Sequence, residues 1–238
     1  MDTDHGIIVD VEATTANRSR EVELTKTMVE RVEQRFGILP KRLIGDTAYG
    51  TAPMLNWIVE TKHIEPHTPV WERAKRQDGC FTRCDFTWEA EADRYICPAG
   101  KPLLRYRRRF SKPRTGIPND DILRYRATKR DCEGCEYKPR CCPKTPSRKV
   151  SRSVYESSRD VARAIAETDA YHQSCNDRKK VEMLFAHLKR ILKLDRLRLR
   201  GMSGARDEFL LAATAQNLRR MARLLSRPPP IPGVTRPA

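Results

Sequence analysis

The sequence predicts an α/β protein in which helices flank a mixed sheet and a cysteine-containing module is inserted. Up to residue 70, β-branched segments alternate with helical patterns, the order typical of parallel strand pairs. Between residues 71 and 152 the hydrophobic pattern becomes short and irregular, and seven of the eight cysteines occur there. Helical periodicity returns from residue 153. We therefore divide the chain into 1–70, 71–152, 153–226 and a tail at 227–238.

The first part alternates strands and helices. Its GIIVDVEATT segment is rich in β-branched residues, which favour strands. A helical pattern follows and stops at Gly37 and Pro40, residues that end helices. Short apolar segments then surround a further helical pattern. The predicted elements are a strand at 6–15, a helix at 19–36, a strand at 43–44, a helix at 52–62 and a strand at 64–70.

Residues 71–152 predict short strands and loops rather than a second layer of helices. The module also contains a run that mixes cations with aromatic rings, RYRRRF at residues 105–110. Arg107, Arg108 and Arg109 at its centre are candidates for DNA binding, because such a run can pair with phosphates and stack on bases. A solvated strand whose aromatic residues face the core explains the run equally well.

The third part predicts two helices. Apolar residues recur at helical spacing across residues 171–194, and again across residues 207–226. Gly201 and Gly204 lie between the two patterns and predict a break. The tail RPPPIPGVTRPA cannot build regular packed structure, so we expect it to be disordered.

The net charge indicates a polyanionic partner. Lys and Arg number 47 against 31 Asp and Glu, giving a formal charge of +16. Nucleic acid is the commonest cellular polyanion. The sequence has no apolar run long enough to span a membrane and no secretory signal at its start. We therefore expect a cytoplasmic, nucleoid-associated protein with no membrane partner.

Two acidic residues lie at positions where catalytic or ligand-binding side chains are often found. Asp46 follows a predicted strand, and ligands bind at strand ends in open α/β sheets. Glu182 lies within the strongest helical pattern, on one face with Arg178 and Lys189. Taken singly, a turn Asp and an ordinary i, i+4 ion pair explain them more simply.

Together, these motifs resemble those of a known family. GDTAYG at residues 45–50 resembles the (A/G)D-x-x-Y block around the second catalytic Asp of bacterial DDE-type insertion-sequence transposases. Arg178-x3-Glu182-x6-Lys189 matches the Y-x2-R-x3-E-x6-K signature around their third catalytic residue. The signature's tyrosine falls on Cys175, with Tyr171 one turn earlier. The branch with a cysteine-bearing insertion before the Glu resembles nearly the whole chain.

The resemblance implies an RNase H-like fold in which three carboxylates hold two divalent metal ions, Mg²⁺ or Mn²⁺. Asp46 and Glu182 would be catalytic and metal-binding, and would have to face each other across a gap fit for those ions. Arg178 and Lys189 would contact DNA phosphate near the site. The partners would be transposon ends and target DNA, bound by a homo-oligomer.

No acid upstream matches the family's first catalytic Asp. Asp2, Asp4 and Asp10 all lack its context, so we expect an N-terminally truncated copy that does not transpose alone. Two alternatives stay open. One is a catalytically inactive fragment that binds DNA or inhibits the full enzyme. The other is an unrelated zinc-stabilised RNA-binding protein.

The grouped cysteines predict a metal site, since thiols stay reduced in the cytosol. Cys132-x2-Cys135-x5-Cys141-Cys142 is compact, and Cys97-Pro98 precedes it in a similar turn. We expect Cys97, Cys132, Cys135 and Cys141 to hold structural Zn²⁺, with Cys142 competing for the last position. An iron–sulfur cluster or free buried cysteines explain the same residues.

Overall fold

The computed structural model describes residues 1–15, 18–72, 79–107 and 116–226. The chain is a mixed α/β structure, as predicted, with one parallel and one antiparallel sheet in this part. The predicted disorder of residues 227–238, and Arg108 and Arg109, lie outside the described residues. In chain order the elements are α1 (Arg18–Phe36), β1 (Arg42–Ile44), α2 (Ala52–Asn56), β2 (Glu65–His67), β3 (Thr87–Glu89), β4 (Arg94–Ile96), β5 (Pro102–Arg105), β6 (Ile122–Arg126), α3 (Lys129–Glu133), α4 (Lys138–Cys141), β7 (Lys149–Ser153), α5 (Glu156–Ala166), α6 (Asp169–Arg190) and α7 (Gly201–Leu225).

The strands β1 and β2 pair in parallel, with Ile44 opposite His67. The chain crosses between them through α2, which continues as a π-helical turn at Trp57–Thr61. A crossover helix is the usual link between parallel strands. Met54 of α2 and Ile58 of the π-helical turn are almost fully buried and form a small core. The predicted strand–helix–strand order over this region is therefore observed.

Residues 6–15 do not form the predicted strand, apart from one isolated bridge. Side chains make hydrogen bonds and ion pairs with this segment in place of a neighbouring strand. Asn217 of α7 accepts from the Ile8 N–H at 2.8 Å and donates to the Ile8 carbonyl at 2.9 Å. Arg31 of α1 pairs with Asp10 at 2.7 Å. The strand predicted from the β-branched composition is therefore wrong, because no partner strand lies beside this segment among the described residues.

The strands β3 to β7 form a five-stranded antiparallel sheet in which each strand pairs with the next along the chain. Its core is aromatic. Tyr125 and Leu103 are fully buried, and the Tyr125 ring lies 5.4 Å from that of Tyr95 and 5.3 Å from that of Trp88. Residues 71–152 were predicted as short strands and loops, and the structure orders those strands into one meander that ends at Ser153.

An ion-pair network fastens α5 to this sheet module. Glu156, 1% exposed, lies 2.5 Å from Arg83, 3.0 Å from Arg159 and 2.9 Å from Arg163. These guanidinium groups hold the pKa of Glu156 below its usual value against the opposing effect of burial. A buried carboxylate needs such partners because an unpaired charge there is costly.

The helices α6 and α7 correspond to the two predicted long helices, with a shifted boundary. α7 begins at Gly201, so the predicted break at the two glycines is wrong, and the chain leaves helical structure at residues 191–200 instead. Gly204 lies inside α7, where an added Cβ would stand 2.6 Å from the Cβ of Leu199. Within the described part of the chain, no helix is both long and apolar enough to cross a membrane.

Candidate functional site

The turn after β1 presents Asp46 to solvent. Asp46 caps a 3₁₀ turn at Thr47–Gly50, and its Oδ1 accepts from the Ala48 N–H at 2.8 Å. A Cβ on Gly50 would stand 1.8 Å from the Pro69 carbonyl oxygen, so only glycine fits there. The turn thus packs closely against the chain after β2 and leaves the carboxylate exposed. This is the strand-end position that the sequence predicts for Asp46.

Glu182 is also exposed. Its side chain, 68% accessible, lies on α6 with Oε1 3.7 Å from Nε of Arg178. An exposed i, i+4 pair of this kind contributes only about 0.5 kcal/mol. Lys189 is exposed on the last turn of the same helix. The three signature residues of α6 therefore lie on a solvent-accessible helix.

Two contacts fix the direction of α6 against the parallel sheet. The Tyr171 ring stacks on His67, with centroids 6.1 Å apart, and His67 pairs with Ile44 at the end of β1. Six residues later, Asp177 lies 3.3 Å from Arg42 at the start of β1. The helix therefore runs opposite to β1.

This direction separates the two candidate acids. Glu182 follows Tyr171 by 11 residues, about 16 Å along the helix axis, and moves away from the strand end that carries Asp46. Tyr171 therefore lies near that end, and we infer from the direction of α6 that Glu182 lies further along the helix. Among the described residues, no three His, Cys, Asp or Glu side chains are placed to hold a metal ion.

Asp177 is a buried acid that sequence reasoning missed. Its side chain is 3% exposed and accepts from Lys180 at 2.6 Å and from Gln173 at 3.2 Å. The Lys180 hydrogen bond is the main cause of a lowered pKa, and Arg42 adds to it. The i−4 and i+3 polar neighbours were visible in the sequence, but they also occur on ordinary helix surfaces. Asp177 anchors α6 on β1.

A cluster of exposed cations follows Glu182. We name residues 189–200, the last two residues of α6 and the connection to α7, the basic loop. It contains six cations within twelve residues, all exposed, and no ion pair is described for any of them. Glu208 of α7 orders it by accepting the Arg198 N–H at 2.6 Å. Sequence reasoning singled out Lys189 alone, although the alternation of cations with leucines was visible. The cations are Lys189, Arg190, Lys193, Arg196, Arg198 and Arg200.

The cation–aromatic run is only partly described. Arg107 is exposed and donates to the Gly116 carbonyl, and it has further interactions. Tyr106 lies under the guanidinium of Arg126, 5.1 Å from its ring centroid. The predicted DNA-binding roles of Arg107, Arg108 and Arg109 stay predictions.

The cysteines of the sheet module converge. A cavity of about 20 Å³ is lined by Cys97, Cys132, Cys135, Cys141 and Cys142. Burial is the main cause that raises the pKa of Cys132, and it raises that of Cys141 to about 12. The thiols are not arranged around a common point, so the structure shows a cysteine-lined cavity and not an assembled metal site.

Comparison with protein families gives one match. The family model described as "Transposase DDE domain" matches residues 96–222, more than half of the chain. The match contains Arg178, Glu182 and Lys189, the basic loop and the cysteine-lined cavity, and it begins after Asp46. Comparisons with curated proteins and with solved structures gave no match.

Proposed function

Because this chain belongs to the transposase DDE domain family, we propose that it cuts and joins DNA at the ends of an insertion sequence. Membership implies DNA binding, and DDE transposases use divalent metal ions. One observation carries the proposal for this chain. Glu182 lies exposed in the matched segment, on the helix that leads directly into six cations with no described ion pair.

The basic loop and α6 form the proposed DNA surface. Cations without acidic partners are free to replace the counterions of a phosphate backbone, which is the main source of sequence-independent DNA affinity. Arg178 and Lys189 flank Glu182 on the same helix, so phosphate bound along the loop would extend towards that acid. We propose that these side chains position the backbone, since phosphate contacts carry no sequence information.

We propose Asp46 and Glu182 as the catalytic acids and as ligands for Mg²⁺ or Mn²⁺. Both are exposed carboxylates, the hard oxygen donors that these ions prefer. Their type fits, and we infer from the contacts of Tyr171 and Asp177 with the parallel sheet that α6 carries Glu182 away from the end of β1. The proposal therefore requires α6 to occupy a different position relative to β1 when DNA is bound. It also assigns the parallel strands to an RNase H-like sheet.

The separation of the two acids favours a second candidate. A chain that binds DNA through the basic loop without bringing its acids together would occupy transposon ends and block the active enzyme. It shares the DNA surface of the first proposal and lacks the chemistry. The family match lends no support to an unrelated RNA-binding protein.

A cleavage assay separates the two candidates. The substrates are duplexes from both flanks of the gene, in Mg²⁺ or Mn²⁺, with wild type, Asp46→Asn, Glu182→Gln and the exposed control Glu91→Gln. The first candidate requires cutting by wild type and the control, loss of cutting in both site variants, and equal DNA binding by all four. Binding without cutting by wild type would establish the inhibitor. Equal cutting by all four would remove both acids from the site.

Joining two DNA ends calls for more than one copy of the chain, and it places the work at the nucleoid. We propose a homo-oligomer assembled on DNA. The mass of the complex in light scattering, with and without end DNA, tests this. A single chain per duplex at saturation would contradict it.

A further inference from the structure

We propose that Cys97, Cys132, Cys135 and Cys141 bind a structural Zn²⁺ ion within the sheet module. This inference is independent of the transposition chemistry, since it concerns neither the acids nor the basic loop. It rests on the convergence of thiols, the room between them, the hydrogen bond to one of their sulfurs and the charges around them.

The thiols come from three separated segments to one cavity. Cys97 lies in the turn after β4, Cys132 and Cys135 lie in and after α3, and Cys141 ends α4. The cavity they line, about 20 Å³, has room for one atom-sized guest and not for an organic ligand. Tetrahedral thiolate sites place sulfur about 2.3 Å from zinc, so zinc binding would require these sulfurs to move to a common point within the cavity.

A backbone group already donates a hydrogen bond to one of the sulfurs. The Lys101 N–H donates to Cys97 Sγ at 3.3 Å, in a turn where Gly100 has φ +73°. Hydrogen bonds of this kind orient ligand side chains and favour the charged sulfur that metal binding needs. A free buried thiol has no such requirement.

The surrounding charge suits a tetrathiolate centre. Four thiolates and Zn²⁺ carry a net charge of about −2, which is costly to bury without cations. Lys101, Lys138 and Arg148 line the cavity, against Asp131 as the acid of its wall. The local balance is positive, so a bound zinc centre would be compensated.

The module also has a structural need for the ion. α3 and α4 span five and four residues, too short to be stable by themselves. They lie between β6 and β7, where a metal would tie both to the turn after β4. Metal binding of this type adds directly to folding free energy.

Cys142 is the competing ligand, and we choose Cys141 because it is the more accessible of the two thiols. Cys142 is 6% exposed, and both thiols line the cavity and pack against the core that contains Cys132. Cys142→Ser is therefore a close control for Cys141→Ser. Cys175→Ser on α6 controls for the loss of any thiol outside the module.

The test is elemental analysis of the full chain, purified under reducing conditions, with Co²⁺ reconstitution. We expect one zinc per chain in wild type, Cys142→Ser and Cys175→Ser, and loss of it in the Cys97, Cys132, Cys135 and Cys141 serine variants. Co²⁺ should give thiolate charge-transfer and tetrahedral d–d bands in wild type.

Because a ligand variant can fail to fold, chelation of wild type supplies a second readout. Removal of zinc should lower the melting temperature, and its return should restore it. Folded wild type without zinc or cobalt bands, iron with inorganic sulfide in its place, or zinc retained by Cys141→Ser and lost by Cys142→Ser would each overturn the assignment. DNA binding through the basic loop is measured separately.

Discussion

The basic loop predicts how DNA affinity changes with salt. Replacing Lys193, Arg196 and Arg198 by Gln removes three exposed cations for which no ion pair is described. Each phosphate contact contributes about 0.9 to the slope of log K against log salt, so the triple variant should lose about 2.7 from that slope. Between about 50 and 200 mM salt, the affinity gap to wild type should then shrink about 40-fold.

A matched triple variant controls for net charge. Arg20 and Arg124 are also exposed and Arg94 is half-buried, but each already has an acidic partner, at 4.0, 2.5 and 2.6 Å respectively. Their replacement by Gln removes the same charge and should leave the slope nearly unchanged. Fluorescence anisotropy with a labelled duplex measures both. Equal loss in the two triples would show that total charge, and not the loop, binds DNA.

Two further changes test how the site is built. Gly50→Ala should destabilise the chain by about 3 kcal/mol in urea unfolding, because its Cβ would meet the Pro69 carbonyl oxygen at 1.8 Å. Gly134→Ala, with nothing within 4 Å, is its control, and an equal loss would refute the close approach. Asp177→Asn should cost about 1–2 kcal/mol at neutral pH, since it weakens the hydrogen bond from Lys180 and the pair with Arg42. The pKa of Asp177 is lowered, so its contribution is present above about pH 4 and disappears below; an unchanged gap at about pH 3 would contradict this.

Elements whose determining residues are contiguous in the sequence could be predicted. The strand before Asp46, the crossover helix and β2 were all predicted because their apolar segments and turn residues are contiguous in sequence. The exposed Asp46 at a strand end follows from the same signals. Residues 6–15 carried an equally clear strand signal, and it was wrong because a strand needs a neighbour that sequence composition does not specify.

Long-range pairing could not be predicted. Glu156 is held by Arg83, 73 residues away, and nothing in its own segment distinguishes it from a surface acid. The direction of α6 is a further case, because helical periodicity shows which face is apolar and not which end meets the sheet. That direction decides where Glu182 lies. The motif proposes Glu182 as the acid, and its position depends on contacts at Tyr171 and Asp177.

The seam between α6 and the parallel sheet is poorly satisfied, which bears on whether α6 can move. His67 Nδ1 and Ser174 Oγ are buried there without a hydrogen-bond partner among the described residues. Each such group costs about 1–3 kcal/mol relative to its hydrated state. Against this stand the stack on Tyr171 and the ion pair of Asp177. A shift of α6 that rehydrates these groups would recover part of the free energy lost with the stack and the ion pair. The seam would therefore oppose the proposed rearrangement of α6 less than a packed apolar interface would.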